Sequence, residues 1–186
     1  MTIALFNELY KEVSVDLADK AKNIELLICD VDGVFSDGLI YMGNNGEELK
    51  TFHTHDGYGI KTLMAAGVQV AIITGRQSRI VEKRMQALGI SMIYQGQTDK
   101  LVAYRDILKR TGIKAEHAAY IGDDLIDWPV MQDVALQVCV ANGHPLLIKR
   151  ANYVTKRLGG QGAVREVCDL ILSAQNKLEH FMGLSV

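Results

Sequence analysis

The chain has 186 residues, 48% hydrophobic and 23% charged, which suits one domain of residues 1–186 with a sizeable core. A net charge of −2 excludes nucleic-acid or membrane binding driven by bulk charge, so an anionic ligand must meet a local group of Lys and Arg. No apolar run approaches the ~20 residues that span a bilayer, and "MTIALFNELYKEVSVDLADKAKN" lacks the basic start and long apolar stretch of a signal peptide.

After an N-terminal helix, "IELLICD" (24–30) reads as a strand, followed by the acidic "DVDGVFSDG". The segment "GLIYMGNNGEELKTFHTHDG" reads as a β-hairpin, about 38–54, turning at "GNNGE". On its second strand His53 and His55 alternate and point the same way, which suggests a metal site; hairpin polarity explains them more cheaply. Further strands are "VQVAIITG" (68–75), "SMIYQG" (91–96), "AAYIGDD" (118–124) and "ALQVCVA" (135–141). Between them "SRIVEKRMQALG" carries a helical stripe of Ile80, Val81, Met85 and Leu88. In "DKLVAYRDILKRTG" the spacing falls on Leu101, Val102, Arg105 and Leu108, with Gly112 as C-cap. A last helix, "GAVREVCDLILSAQNKLEHF", follows "LGGQG" in a C-terminal tail of about 159–186. "GGQGAVRE" can bind an anion at the helix N-terminus or form a plain turn, and Arg165 in the first turn favours the anion. Alternating strands and helices predict an α/β, doubly wound parallel sheet, Rossmann-like, with helices on both faces. Cys29, Cys139 and Cys168 lie among apolar neighbours and read as reduced core thiols of a cytosolic protein.

In such a sheet ligands bind at the carboxyl ends of the strands. Those ends carry Asp30 and Asp32, then Thr74, Gly75 and Arg76, then Asp123, Asp124 and Asp127, while Lys100 opens the helix after the third strand. Clustered carboxylates persist where a cation, a proton or solvent relieves them. Carboxylates from "DVD" and "GDDLID" make a hard oxygen site suited to Mg²⁺ with open positions for a phosphoryl oxygen. One carboxylate can attack phosphorus, a second can protonate the departing alkoxide, and Thr74 with Lys100 can hold the transferring group. Taken singly, each motif also fits a solvated turn, a strand end or a helix cap; their convergence on one edge favours the site.

"DVDGVFSDG", "IITGR", Lys100 and "GDDLIDWP" resemble the four motifs of the haloacid dehalogenase superfamily, in its phosphatase branch. The resemblance implies Asp30 as nucleophile and Asp32 as general acid/base, with Thr74 and Lys100 binding phosphate. It implies Mg²⁺ held by Asp30, the Asp32 backbone carbonyl and Asp123, with Asp124 and Asp127 as further ligands or as acceptors behind the ligands. The intervals from Asp32 to Thr74 and from Thr74 to Lys100 leave no room for a cap domain.

"FHTHDGYGIK", "YQGQTDK", "GDDLIDWPVM" and "GGQGAVREVCDLIL" narrow the resemblance to the 3-deoxy-D-manno-octulosonate 8-phosphate phosphatase family. This implies hydrolysis of that sugar-acid phosphate on the route to lipopolysaccharide, in cytoplasmic homotetramers whose subunits close one another's active sites. The implied substrate region is Asp32, His53, Thr54, His55, Asp56, Gly57, Tyr58, Lys61, Gly75, Arg76, Arg84 and Lys100. A bidentate arginine suits a carboxylate, and Arg76 follows Thr74 closely; Arg84 stands equally as a site residue or as decoration of a solvated helix. The alternatives are the same chemistry on another sugar-acid phosphate, such as a nine-carbon one, and, remotely, a phospho-receiver domain. A receiver carries its acidic pair and its phosphorylated aspartate on different strands, which this order contradicts.

Overall fold

The structure, a computed structural model, describes residues 3–181 and Gly183. Helices α1 (Ile3–Leu9) and α2 (Val15–Lys22) precede the strand β1 (Leu26–Cys29). A hairpin of β2 (Tyr41–Met42) and β3 (Glu48–Leu49) follows, then α3 (Thr54–Ala65), β4 (Gln69–Ile73), α4 (Arg79–Ala87), β5 (Met92–Tyr94) and α5 (Lys100–Thr111). The chain continues through β6 (Ala118–Gly122), α6 (Trp128–Met131), β7 (Leu136–Cys139), α7 (Pro145–Arg150), β8 (Tyr153–Val154) and α8 (Ala163–Ala174).

Six strands form one parallel sheet in the order β5-β4-β1-β6-β7-β8. The chain winds outward from β1 to β5, crosses back, and winds the other way from β6 to β8. Where the winding reverses, the loops after β1, β4 and β6 part and leave a crevice at the carboxyl edge. Central β1 is buried on both faces. Leu27 and Cys29 join the layer under α2, α3 and α8, while Leu26 and Ile28 join the layer under α5 and α6. That is why "LLIC" reads as an unbroken apolar run; each such Leu or Ile contributes about 1.5–3 kcal/mol by leaving water.

Four expectations change. The hairpin pairs only Tyr41 with Leu49 and Met42 with Glu48, so His53 and His55 are not on a strand. His53 is the N-cap of α3, its ring accepting the His55 N–H at 3.2 Å, because a side-chain acceptor satisfies an orphan donor of the first turn. In α5 the buried face is Lys100, Ala103, Tyr104 and Ile107, while Val102 is 61% exposed; the helix has turned to send Lys100 inward. Strand β8 was not foreseen, since two residues are too few to show a period.

The fourth change concerns 159–186, where the expected last helix stops at Ala174, short of Phe181. Val164, Val167, Leu170 and Ile171 of α8 are fully buried, and the helix packs on α1, α2 and α3. Residues 182 and 184–186 of that segment lie outside the described residues. The glycines before α8 seat the loop that follows β1. A Cβ on Gly159 would come within 1.7 Å of the Gly33 carbonyl oxygen, and Gly160 N–H donates to Val34 O at 2.8 Å.

Candidate active site

Asp30 leaves β1 with its N–H donating to Ile121 O at 3.0 Å, which holds its backbone in register with β6. The Val31 carbonyl then accepts from the N–H groups of Val34, Phe35 and Ser36 at 3.1, 2.9 and 3.0 Å, curling the chain at once. Gly33 has φ 88°, and a Cβ there would stand 2.2 Å from Asp123 Oδ2. Glycine therefore lets the loop after β1 touch the loop after β6.

Thr74 is buried at the end of β4; its N–H donates to Tyr94 O at 2.9 Å and its carbonyl accepts from Gln97 N–H at 3.0 Å. Asp99 caps α5 by accepting from Leu101 N–H at 3.0 Å, which aims the next residue, Lys100, at the crevice. After β6, Asp124 caps a single turn over 125–127 in a reciprocal box with Asp127.

The loops after β1 and β6 meet at Lys100. Its Nζ donates to Asp30 Oδ1 at 2.8 Å and to Asp127 Oδ1 at 2.6 Å, and lies 3.3 Å from the Tyr120 hydroxyl. Tyr120 in turn donates to Asp127 Oδ1 at 2.7 Å, while Asp127 Oδ2 accepts the N–H groups of Asp123 and Asp124 at 3.0 and 3.2 Å. Both oxygens of Asp127 are thus committed to four donors, about the capacity of a carboxylate. Asp127 ties Lys100 to the 123–124 backbone.

Burial, then the neighbouring Asp127 charge, pushes the Asp30 carboxyl well above its ordinary range, against the pull of Lys100. Burial, then Asp127 and Asp124, pushes Asp123 up to about 7. Burial alone would depress the Lys100 ammonium, but Asp30 and Asp127 outweigh it and raise its pKa. Burial and Asp30 push the Cys29 thiol up, which removes it as a nucleophile. Ligand oxygens of Asp30, Asp123 and Asp127 lie within 4.8 Å of one another, facing one ammonium. An all-oxygen set with this excess of negative charge fits a hard divalent cation such as Mg²⁺.

Asp30, Lys100 and Asp123 line a cavity of about 280 Å³ together with Asp32, Thr74, Gly75, Arg76, Asp124 and Ile126, while Asp127 is buried behind them. A second cavity, about 320 Å³, lies between α1, α3 and α8 against Leu5, Leu9, Tyr58 and Phe181. Its wall is mainly apolar and its Asp169 is paired with Arg165 at 2.7 Å, so it lacks the means to hold a phosphate.

A family model described as haloacid dehalogenase-like hydrolase matches residues 89–165. The chain is 60% identical over 177 residues to the 3-deoxy-D-manno-octulosonate 8-phosphate phosphatase of Escherichia coli (strain K12), covering 95% of this chain and 94% of that protein. The chain belongs to the 3-deoxy-D-manno-octulosonate 8-phosphate phosphatase family.

Among solved members of that family, the crystal structure from Yersinia pestis superposes with TM-score 0.91 at 61% identity, covering 92% of each chain. The structure from Moraxella catarrhalis, in complex with magnesium ion, phosphate ion and a KDO molecule, superposes with TM-score 0.87 at 46% identity, covering 90% of this chain and 96% of that one. The haloacid dehalogenase fold, implied by the motif resemblance, is therefore the fold of this chain, and it is an α/β sheet of the Rossmann kind, as the alternating strands and helices predict.

The residues assigned to substrate from the family resemblance divide in two. Asp32, Gly75, Arg76 and Lys100 line the carboxylate cavity. His53, Thr54, His55, Asp56, Gly57 and Tyr58 sit at the start of α3, Lys61 further along it and Arg84 on α4, and none of them lines it. Asp56 is fully buried, and its Oδ1 accepts Arg165 N–H at 2.7 Å, capping α8. The anion expected at "GGQGAVRE" is thus this chain's own carboxylate, and Arg165 is spent on Asp169. The Tyr58 hydroxyl donates to Phe181 O at 2.7 Å on the wall of the second cavity. Gly57 lets the Arg84 guanidinium approach, since a Cβ there would stand 2.5 Å from Arg84 Nη2.

Two residues of the site escaped the sequence reading. Tyr120 was taken only as part of a strand, although a hydroxyl inside "AAYIG" needs a buried partner. Lys50 lies in the hairpin segment with no role assigned from sequence, and its Nζ contacts Asp32 Oδ1.

Proposed function

We propose that this chain hydrolyses 3-deoxy-D-manno-octulosonate 8-phosphate to 3-deoxy-D-manno-octulosonate and phosphate, with Mg²⁺ as cofactor, on the route to lipopolysaccharide. It is a phosphoric monoester hydrolase. The observation that carries the reading is the convergence of Asp30, Asp123 and Lys100 on one cavity, with Asp127 buried against Lys100, in a chain this close to known phosphatases.

In this reading Asp30 is the nucleophile. Lys100 holds Oδ1, which leaves Oδ2 to attack phosphorus; the bond from Oδ2 to phosphorus forms as the bond from phosphorus to the sugar oxygen breaks. Asp32 gives its proton to the departing sugar oxygen. It then takes one from the water that attacks the aspartyl phosphate, releasing phosphate and restoring the Asp30 carboxylate. Thr74 and Lys100 hold the phosphoryl oxygens, and buried Tyr120 and Asp127 keep the ammonium in place. Asp30, the Asp32 backbone carbonyl and Asp123 would hold Mg²⁺, which supplies positive charge to the carboxylate cluster and to the phosphoryl oxygens. Gly75 and Arg76 serve the sugar acid, Arg76 meeting its carboxylate.

Residues 1–186 act as one phosphatase domain, in a homotetramer in which hairpins pack together. Leu39, Ile40, Met42 and Leu49 support that assembly: they are 56–76% exposed on a hairpin that has no apolar partner in its own subunit among the described residues. His53, Thr54, His55, Lys61 and Arg84 then serve substrate binding across subunits rather than in their own cavity, while buried Asp56 holds α8 and the Tyr58 hydroxyl holds the Phe181 carbonyl. The cytoplasm is the proposed location; no helix among the described residues is long and apolar enough to cross a membrane.

The test is phosphate release from a panel of sugar-acid phosphates with and without Mg²⁺. The eight-carbon 8-phosphate should give the highest kcat/KM, and only with the metal. A preference for a nine-carbon substrate would shift the assignment to that alternative.

A further inference from the structure

The hairpin carries its charges in reverse. Leu49 is 67% exposed, whereas the side chain of the next residue, Lys50, is 1% exposed. Successive residues of an extended segment point to opposite faces, so Glu48 and Lys50 share the inward face. An ammonium taken out of water is costly unless carboxylates meet it. Here two do: Lys50 Nζ contacts Asp32 Oδ1 and lies 3.6 Å from Glu48 Oε1. The same Glu48 oxygen is 3.2 Å from Arg76 Nη2. Asp32, Lys50, Glu48 and Arg76 thus form a chain of alternating charge along the rim, and its two ends line the carboxylate cavity.

We propose that Lys50 is a positioning residue for Asp32: it grips Oδ1 from the hairpin and turns Oδ2 to the departing sugar oxygen. Among the described residues Oδ2 has no hydrogen-bond partner, so the grip selects which oxygen is left to work. This rests on the reading of Asp32 as the general acid. The hairpin thereby couples its own placement to the acid step. An arm that moved away would take Lys50 with it and leave the Asp32 carboxyl free to rotate.

Leaving groups separate this from a merely structural role. A sugar alkoxide is a poor leaving group and needs its proton, while 4-nitrophenolate departs without one. Lys50→Met should lower the single-turnover rate of alcohol release from the sugar-acid phosphate by about tenfold to a hundredfold, within the range of general-acid catalysis, and change the single-turnover release of 4-nitrophenol by less than about twofold; the later water attack, which Asp32 also serves, is common to both esters and lies outside this measurement. Inhibition by inorganic phosphate should be unchanged, since Thr74 and Lys100 are untouched. Lys50→Gln drops the charge and keeps a polar end one bond shorter, and gives the same comparison where methionine disturbs the hairpin. Equal losses on the two esters, or no loss on either, overturn the proposal. Asp32→Asn is measured beside them. If it loses the sugar ester selectively while the Lys50 variants do not, Lys50 alone is refuted; if it shows no selectivity, the Asp32 reading falls and takes the proposal with it.

Discussion

Lys100 Nζ stands 2.6 Å from Asp127 Oδ1, with both side chains almost wholly out of water. The same ammonium neutralises Asp30, so two buried carboxylates depend on it. Lys100→Met should cost about 3–5 kcal/mol in the metal-free protein, the usual result of leaving buried charge unpaired. Urea unfolding in EDTA measures it. A variant as stable as the parent would mean that the carboxylates do not need the ammonium. Turnover should fall by at least about a hundredfold, because the phosphoryl group loses a fixed donor.

Asp30→Asn should abolish turnover while leaving the fold intact. The amide keeps the shape and lacks the nucleophilic charge, and it takes one carboxylate out of a crowded cluster. Near-normal phosphate release from a well-folded Asp30→Asn protein would remove the nucleophile assignment.

EDTA should stop phosphate release and Mg²⁺ should restore it. In the absence of substrate Mg²⁺ should also raise the melting temperature, because it offsets the burial and the repulsion by Asp127 and Asp124 that push the Asp123 pKa up to about 7. At a hundred times its dissociation constant the stabilisation is about 2.7 kcal/mol. A melting curve indifferent to Mg²⁺ would argue against a cation between these acids.

Gly33→Ala should weaken both stability and metal binding. The residue has φ 88°, and the new methyl would stand 2.2 Å from Asp123 Oδ2. The backbone strain costs about 1–3 kcal/mol, and displacing Asp123 should lower Mg²⁺ affinity in a calorimetric titration. Unchanged affinity would show that Asp123 can move without loss.

Asp56 predicts a pH dependence away from the catalytic groups. Burial raises its pKa to about 6 from 3.8, against the backbone N–H groups of Arg165 and Gly162, which lower it. The folded state therefore binds the proton more tightly than the unfolded chain does. Stability from this group is full below the unfolded value and is lost as pH rises through about 6. The shift corresponds to at most about 3 kcal/mol. Relative to Asp56→Asn, the parent should lose up to that amount between about pH 4 and pH 7, read by urea unfolding. A difference that stays flat across that range would show that the carboxyl does not titrate there.

The strands were legible where apolar runs were long. "IELLICD" and "AAYIGDD" end within two residues of the observed β1 and β6, because a strand buried on both faces admits few polar residues. Asp30, Thr74, Lys100 and Asp123 were also legible, since strand ends in a parallel sheet face one edge whatever the side-chain packing. His53 and His55 were misplaced because a polar stretch after two strand residues has no period of its own, and a helix cap used it instead. Lys50 was invisible for a related reason: local pattern cannot tell a lysine that points to water from one that meets an aspartate 18 residues earlier.

The amino-acid sequence by itself determined the parallel sheet, the carboxylates and lysine at its edge, and the chemistry such a set can perform. These follow from local hydrophobicity and from spacing along the chain. Only the tertiary structure decided that Asp127 spends both oxygens holding Lys100 and the 123–124 backbone, that Asp56 caps α8, and that Lys50 turns inward to Asp32. Each of those is a pairing between residues far apart in sequence or committed to several partners at once. Burial sets their energies, and burial exists only after the chain has closed around them.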